Sequence, residues 1–195
     1  MKISISPSVL LMGSIVLFSR SADRAVIPLS AALLHELGHI FFAFLFSIPI
    51  EKLELNLFGA IIKLPPLSCS YKREALLAFV GPLTNLITAG IAAAYIGGSA
   101  GAHRDEILYF IISSLLFAFI NLLPAENFDG GRILSCLLLS KYSPNTVDSI
   151  IAWTTLFCIF ILWSISVYFI IKTGSYLSLF IFSGALFSKI FLFDN

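Results

Sequence analysis

Charge is what this sequence has least of. Asp, Glu, Lys and Arg make up 12% of its 195 residues, where an ordinary soluble domain carries about 25%. Hydrophobic residues make up 58%, and the mean hydropathy is +0.98. A soluble protein this apolar would expose large sticky patches, so the bilayer is the solvent that accepts it. The basic residues form no run and the net charge is +1, which argues against a nucleic-acid partner. Cysteine is scarce as well. Cys69, Cys136 and Cys158 are odd in number, far apart and form no CxxC or CxxxC pair, so packed thiols are expected rather than a disulfide or a metal site. There is no internal repeat, low-complexity tract or linker, and no stretch of soluble character long enough to fold alone. Residues 1–195 are expected to be one membrane domain.

A membrane helix needs about 20 mostly apolar residues. Six stretches come close: Ile3–Ser19, Ala25–Ile50, Ala75–Ala102, Ile107–Leu123, Ser149–Ile171 and Ser175–Phe193. The expected fold is therefore an all-α polytopic membrane protein with about six transmembrane helices. Lys2 ahead of an apolar run resembles a secretory signal. The chain re-enters the membrane almost at once, however, so an uncleaved helix is expected. With the N-terminus in the cytoplasm, eight of the twelve Lys and Arg residues fall on the cytoplasmic side. That bias favours both termini inside, in a cell membrane. The connection 53–64 is unusual. Leu53, Leu55 and Leu57 alternate with Glu54 and Asn56, the period of a strand. Gly59 would permit a turn, which predicts a short hairpin; an amphipathic interfacial loop is the other reading.

The 26-residue span Ala25–Ile50 holds three ionisable groups: His35, Glu36 and His39. A central charge in a bilayer costs roughly 2.5–3.5 kcal/mol, so such groups need partners, and a metal provides one. On a helix, positions i and i+4 lie about 40° apart and rise about 6 Å, so both imidazoles can reach one ion. Glu36 lies about 60° from His39 on the same wheel, offset enough to hold a water rather than the metal. This HExxH arrangement suits zinc, with the Glu as general base. Gly38 is expected to leave room beside the metal. A polar His–Glu cluster bridging helices is the bland alternative.

Zinc needs a third protein ligand, with one position left for water. Most remaining acids lie in charged loops or at helix ends. Glu126 and Asp129 remain, within Asn121-Leu-Leu-Pro124-Ala-Glu126-Asn-Phe-Asp129-Gly130-Gly131. Pro124, Gly130 and Gly131 are expected to break the helix, and irregular backbone at membrane depth is tolerated where it lines a cavity or is buried. Asp129 is preferred because the glycines after it allow close backbone approach. A further polar intrusion is Gly81-Pro82-Leu-Thr-Asn85. Asn85 can donate to a substrate carbonyl or its developing oxyanion; spacing alone favours an interhelical hydrogen bond at a close Gly contact.

Together these residues resemble the site-2 protease family of intramembrane zinc metalloproteases. HELGH is similar to its HExxH motif, Gly81-x-x-x-Asn85 to its central GxxxN motif, and Asn121-x-x-Pro124 with Asp129-Gly130 to its NPDG motif. The motifs come in family order and cover residues 25–135. The short, six-helix stage IV sporulation protein FB group is the most similar. The resemblance implies His35, His39 and Asp129 as ligands of one zinc ion per chain and Glu36 as the catalyst. It implies that Gly81, Asn85, Asn121 and Pro124 sit near bound substrate, and that residues 53–64 form a membrane-associated β-hairpin pairing with extended substrate. The implied substrate is a membrane protein, such as a sigma-factor precursor, an anti-sigma factor or a leftover signal peptide. Two departures stand out. No PDZ or CBS domain is expected within residues 1–195, and Phe128 stands where many members carry Leu. A non-proteolytic zinc-binding scaffold and a metal transporter are the competing classes. Intact Glu36 argues against the first, and the lack of a repeat or second intramembrane acid cluster argues against the second.

Overall fold

The computed structural model describes residues 2–5, 22–49, 52–56, 59–63, 70–98, 103–126 and 128–173. Three short strands and five helices follow in chain order: β1 (Lys2–Ile5), α1 (Ala22–Leu45), β2 (Lys52–Asn56), β3 (Gly59–Lys63), α2 (Tyr71–Gly98), α3 (Arg104–Asn121), α4 (Asp129–Leu139) and α5 (Pro144–Thr173). Three of these helices contain segments long and apolar enough to cross a membrane: Val26–Leu45, Tyr71–Ile96 and Pro144–Lys172. The 18-residue α3 opens on Arg104, Asp105 and Glu106, which shortens its apolar length. The six spans expected from the sequence are thus three among the described residues. The last of them, at 175–193, and most of the first lie outside those residues.

Lys2–Ile5 is a strand, which corrects only the start of the expected first span. Ile3 and Ile5 alternate with Lys2 and Ser4, a period of two, and the segment pairs parallel with β2 from Lys2↔Lys52 to Ile5↔Leu55. β2 pairs antiparallel with β3 from Lys52↔Lys63 to Asn56↔Gly59. Gly59 is therefore a paired strand residue rather than the turn. β2 is the middle strand of the three.

α1 ends five residues earlier than the expected span. The reason is local. Ser47 adopts the left-handed conformation, with φ 50°. Ile48 N–H donates to the Ala43 carbonyl at 2.8 Å and Ser47 N–H to Phe44 at 3.1 Å. These are the two bonds of a Schellman cap, and Ile48 packs on Ala43 and Leu77 as the accompanying apolar contact. Pro49 follows, where a helix could not continue.

α2 is the central element. It packs against α1, α3 and α4, and its Pro82 sits inside a continuous helix. α5 packs on α4 and covers the connection between α3 and α4 through a cluster of Ala125, Phe128, Cys158 and Ile159.

Candidate metal centre

His35 and His39 lie one turn apart on α1, 3% and 4% exposed. Asp129 opens α4 and reaches the same point from the other side. Its Oδ2 is 3.0 Å from His35 Nε2 and 3.3 Å from His39 Nε2, and the two Nε2 atoms are 3.2 Å apart. The rings meet edge to face at 81°. Three potential ligand atoms thus form a nearly equilateral triangle. A tetrahedral zinc ion with bonds of about 2.0–2.1 Å sets its donor atoms about 3.3–3.4 Å apart, so the triangle has the size of one tetrahedral face. The fourth position would be open.

The donor chemistry agrees. His39 Nδ1 is 2.7 Å from the Leu77 carbonyl, which accepts its N–H and leaves a lone pair on Nε2. A ligating histidine is oriented by this kind of outer partner. Two ring nitrogens and a carboxylate oxygen converging on one buried point suit a cation.

Glu36 is half-buried on α1, next to His35. Glu126, the competing acid, is exposed. Its backbone N–H donates to Thr155 Oγ1 at 3.0 Å, which turns this stretch of chain toward α5.

The glycines have different roles from those read in the sequence. A Cβ at Gly38 would overlap Thr84 Oγ1, so Gly38 admits α2 rather than a metal. The room beside the donors comes from Gly81. A Cβ there would overlap His39 Nε2 and lie 2.7 Å from His35 Nε2. Gly130 and Gly131 do not break a helix; they lie in the first turn of α4, buried. Their missing side chains let that turn rest on the carbonyls of Leu122, Leu123 and Ala125. The break itself is residues 122–128. There Ala125 N–H bonds the Leu123 carbonyl across Pro124 at 2.8 Å, and Phe128 N–H bonds the Ala125 carbonyl at 3.0 Å.

Asn85 follows Gly81 by one turn. It is 0% exposed, and neither its Nδ2 nor its Oδ1 has a hydrogen-bond partner among the described residues. Such a buried amide is rare in folded proteins. Asn121 is half-buried, and its Nδ2 donates to its own helix at the Phe117 carbonyl, 3.0 Å away. Pro124 is half-buried in the break. Sequence reasoning missed the Leu77 carbonyl, which as backbone leaves no signal, and Thr155, one hydroxyl within an apolar helix.

No family model matches the chain. Among curated proteins, Rip3 of Mycobacterium tuberculosis, named as a zinc metalloprotease, is 29% identical over 137 residues, covering 68% of this chain and 35% of its own length. Stage IV sporulation protein FB of Bacillus subtilis is 30% identical over 149 residues, covering 74% of this chain and 50% of its own length. The chain thus spans half or less of the length of these relatives. Among solved structures, the site-2 protease from Methanocaldococcus jannaschii is similar, with a TM-score of 0.72 at 20% identity over 96% of this chain and 88% of that one. At that identity the likeness speaks for the fold.

Proposed function

We propose that the chain belongs to the site-2 protease family, as its similarity to Rip3 and stage IV sporulation protein FB supports, and that it is an intramembrane zinc metalloprotease. It would hydrolyse peptide bonds within or near the transmembrane segments of membrane-protein substrates. The observation that carries this reading is the triangle of His35, His39 and Asp129 with sides of 3.0, 3.2 and 3.3 Å, on a helix that also bears Glu36. A zinc ion bound there supplies a Lewis acid and lowers the pKa of its water to about 7. Glu36 is the general base that takes the proton of the attacking water and returns it to the leaving amine. Asn85 has both amide atoms uncommitted among the described residues, which suits donation to the scissile carbonyl as negative charge develops. The resemblance of their motif to the family's supports a position for Asn121 and Pro124 near bound substrate.

A helical substrate hides its carbonyls in its own hydrogen bonds, and freeing them in lipid costs several kcal/mol per group. Strand pairing with the membrane-associated hairpin at 53–64 replaces those bonds. With β1 on one side of β2 and β3 on the other, the free edges are those of β1 and β3. We place the protein in a prokaryotic cytoplasmic membrane with both termini inside. Its substrate would be a single-span protein such as a sigma-factor precursor or an anti-sigma factor. Co-expression with candidate single-span substrates tests the activity: wild type should yield product and Glu36→Gln none. Equal product from both removes the assigned base.

A further inference from the structure

Next to the donor set, but outside it, Glu74 of α2 pairs with Arg132 of α4. Arg132 Nε and Nη2 each lie 3.0 Å from Glu74 Oε1. The side chains are 26% and 31% exposed, and an ion pair that wet adds little to stability. Its position matters more than its strength. Glu74 stands one turn before Leu77, whose carbonyl fixes His39. Arg132 stands one turn after Asp129, at i+3 on α4. That is the spacing at which an acid and an arginine pair along a helix face. Asp129 turns to the two imidazoles, and Arg132 reaches across to α2.

We propose that Glu74 is a positioning residue of the metal centre: by holding the Arg132 guanidinium against α2, it keeps that cation off the Asp129 carboxylate and leaves the carboxylate to the metal. Guanidinium stays charged at any working pH, and it binds carboxylates through strong charge-assisted bonds. Released from Glu74, it has the third donor one turn away on its own helix. The inference rests on the reading of His35, His39 and Asp129 as zinc ligands. It differs from a simple clamp between α2 and α4. A clamp fails equally when either partner is lost, whereas this device fails only when Glu74 is lost and Arg132 remains.

The test uses the full chain in detergent, stripped of metal and titrated with Zn²⁺ against a chromophoric chelator, with Co²⁺ absorption as a second readout of the ligand set. Glu74→Gln should bind Zn²⁺ about 10-fold or more weakly, the range seen when outer partners of metal ligands are removed, and should alter the Co²⁺ spectrum. Arg132→Gln should bind close to wild type. The double variant E74Q/R132Q should recover the affinity that E74Q alone loses, although it removes more of the pair. Wild-type affinity in E74Q overturns the inference while leaving the metal centre intact. So does a loss in R132Q or in the double variant as large as in E74Q, since that is the behaviour of a clamp. An E74Q chain that does not fold overturns it as well, by making the pair structural. Wild type that binds no zinc removes the metal centre and the inference together.

Discussion

Gly81→Ala separates two physical effects of opposite sign. By helix propensity, alanine should stabilise a helix interior by about 0.5–1 kcal/mol over glycine. Gly81 lies inside α2, so secondary structure alone predicts a gain. The site predicts a loss. The new methyl would lie 2.7 Å from His35 Nε2 and closer still to His39. Carbon contacts are optimal near about 3.5–4.0 Å, so the imidazoles would have to retreat by roughly 0.8 Å or more. Zinc–ligand distances tolerate about 0.2 Å. His39 cannot swing away without giving up the 2.7 Å bond to Leu77. If α2 backs off instead, it gives up the close contact it makes with α1 at Gly38 and Thr84.

We therefore expect Gly81→Ala to lower zinc affinity by at least about 10–100-fold, which is about 1.4–2.7 kcal/mol. Proteolysis should fall with it. Overpacking should also cancel the propensity gain, at a cost of about 1–3 kcal/mol. Gly90 provides the control. It sits on the same helix with nothing within 4 Å of a built Cβ, so Gly90→Ala should keep full zinc and activity. Metal analysis of purified protein, a thermal midpoint in detergent and cleavage of a single-span substrate read all three effects. Gly81→Ala with stoichiometric zinc and wild-type cleavage would refute the placement of the histidines against α2.

Chelation should release one metal ion per chain and abolish cleavage, and Asp129→Ala should prevent its return; a stable zinc complex in that variant would remove Asp129 from the donor set. Thr155→Val strands the N–H of Glu126 beside a hydroxyl that is now a methyl, a loss of about 1–3 kcal/mol. It should lower the thermal midpoint and weaken zinc through the loop leading to Asp129, while Thr155→Ser retains both; no change in the valine variant would show that α5 does not brace the loop. Deleting residues 53–58 should impair cleavage while zinc stays bound; undiminished cleavage would dismiss strand pairing as the means of holding substrate.

What could be read from the sequence was whatever depends on spacing along one helix. His35 and His39 follow from a four-residue interval and a charge-poor span, and Asp129 from being an acid in a broken segment. Boundaries were less legible because they depend on particular hydrogen bonds. Nothing in Phe-Ser-Ile-Pro announces that Ser47 will take the left-handed conformation and close α1 early. The glycines misled for a similar reason. Flexibility and smallness look the same in a sequence: Gly130 and Gly131 suggest a break, but they are small residues inside a helix, where any Cβ would overlap loop carbonyls. Lys2–Ile5 was absorbed into the apolar run that follows it, although its own alternation is that of a strand.

The residues of α2 explain why three short motifs so far apart can make one site. This helix supplies none of the three candidate donors, yet Glu74, Leu77, Gly81 and Asn85 recur at intervals of three, four and four, which puts them within about 80° of one another on the wheel. Going along that stripe, Glu74 takes Arg132, the Leu77 carbonyl takes His39, Gly81 seats both imidazoles and Asn85 keeps a buried amide uncommitted among the described residues. The donors belong to α1 and α4, but their separation is set by what each finds on α2. A register shift of one residue in α2 would rotate the stripe by about 100° and uncouple all four contacts at once. Substitutions along this face should therefore couple to one another through metal affinity, whereas those on its exposed side, such as Ile87 and Ile91, should not.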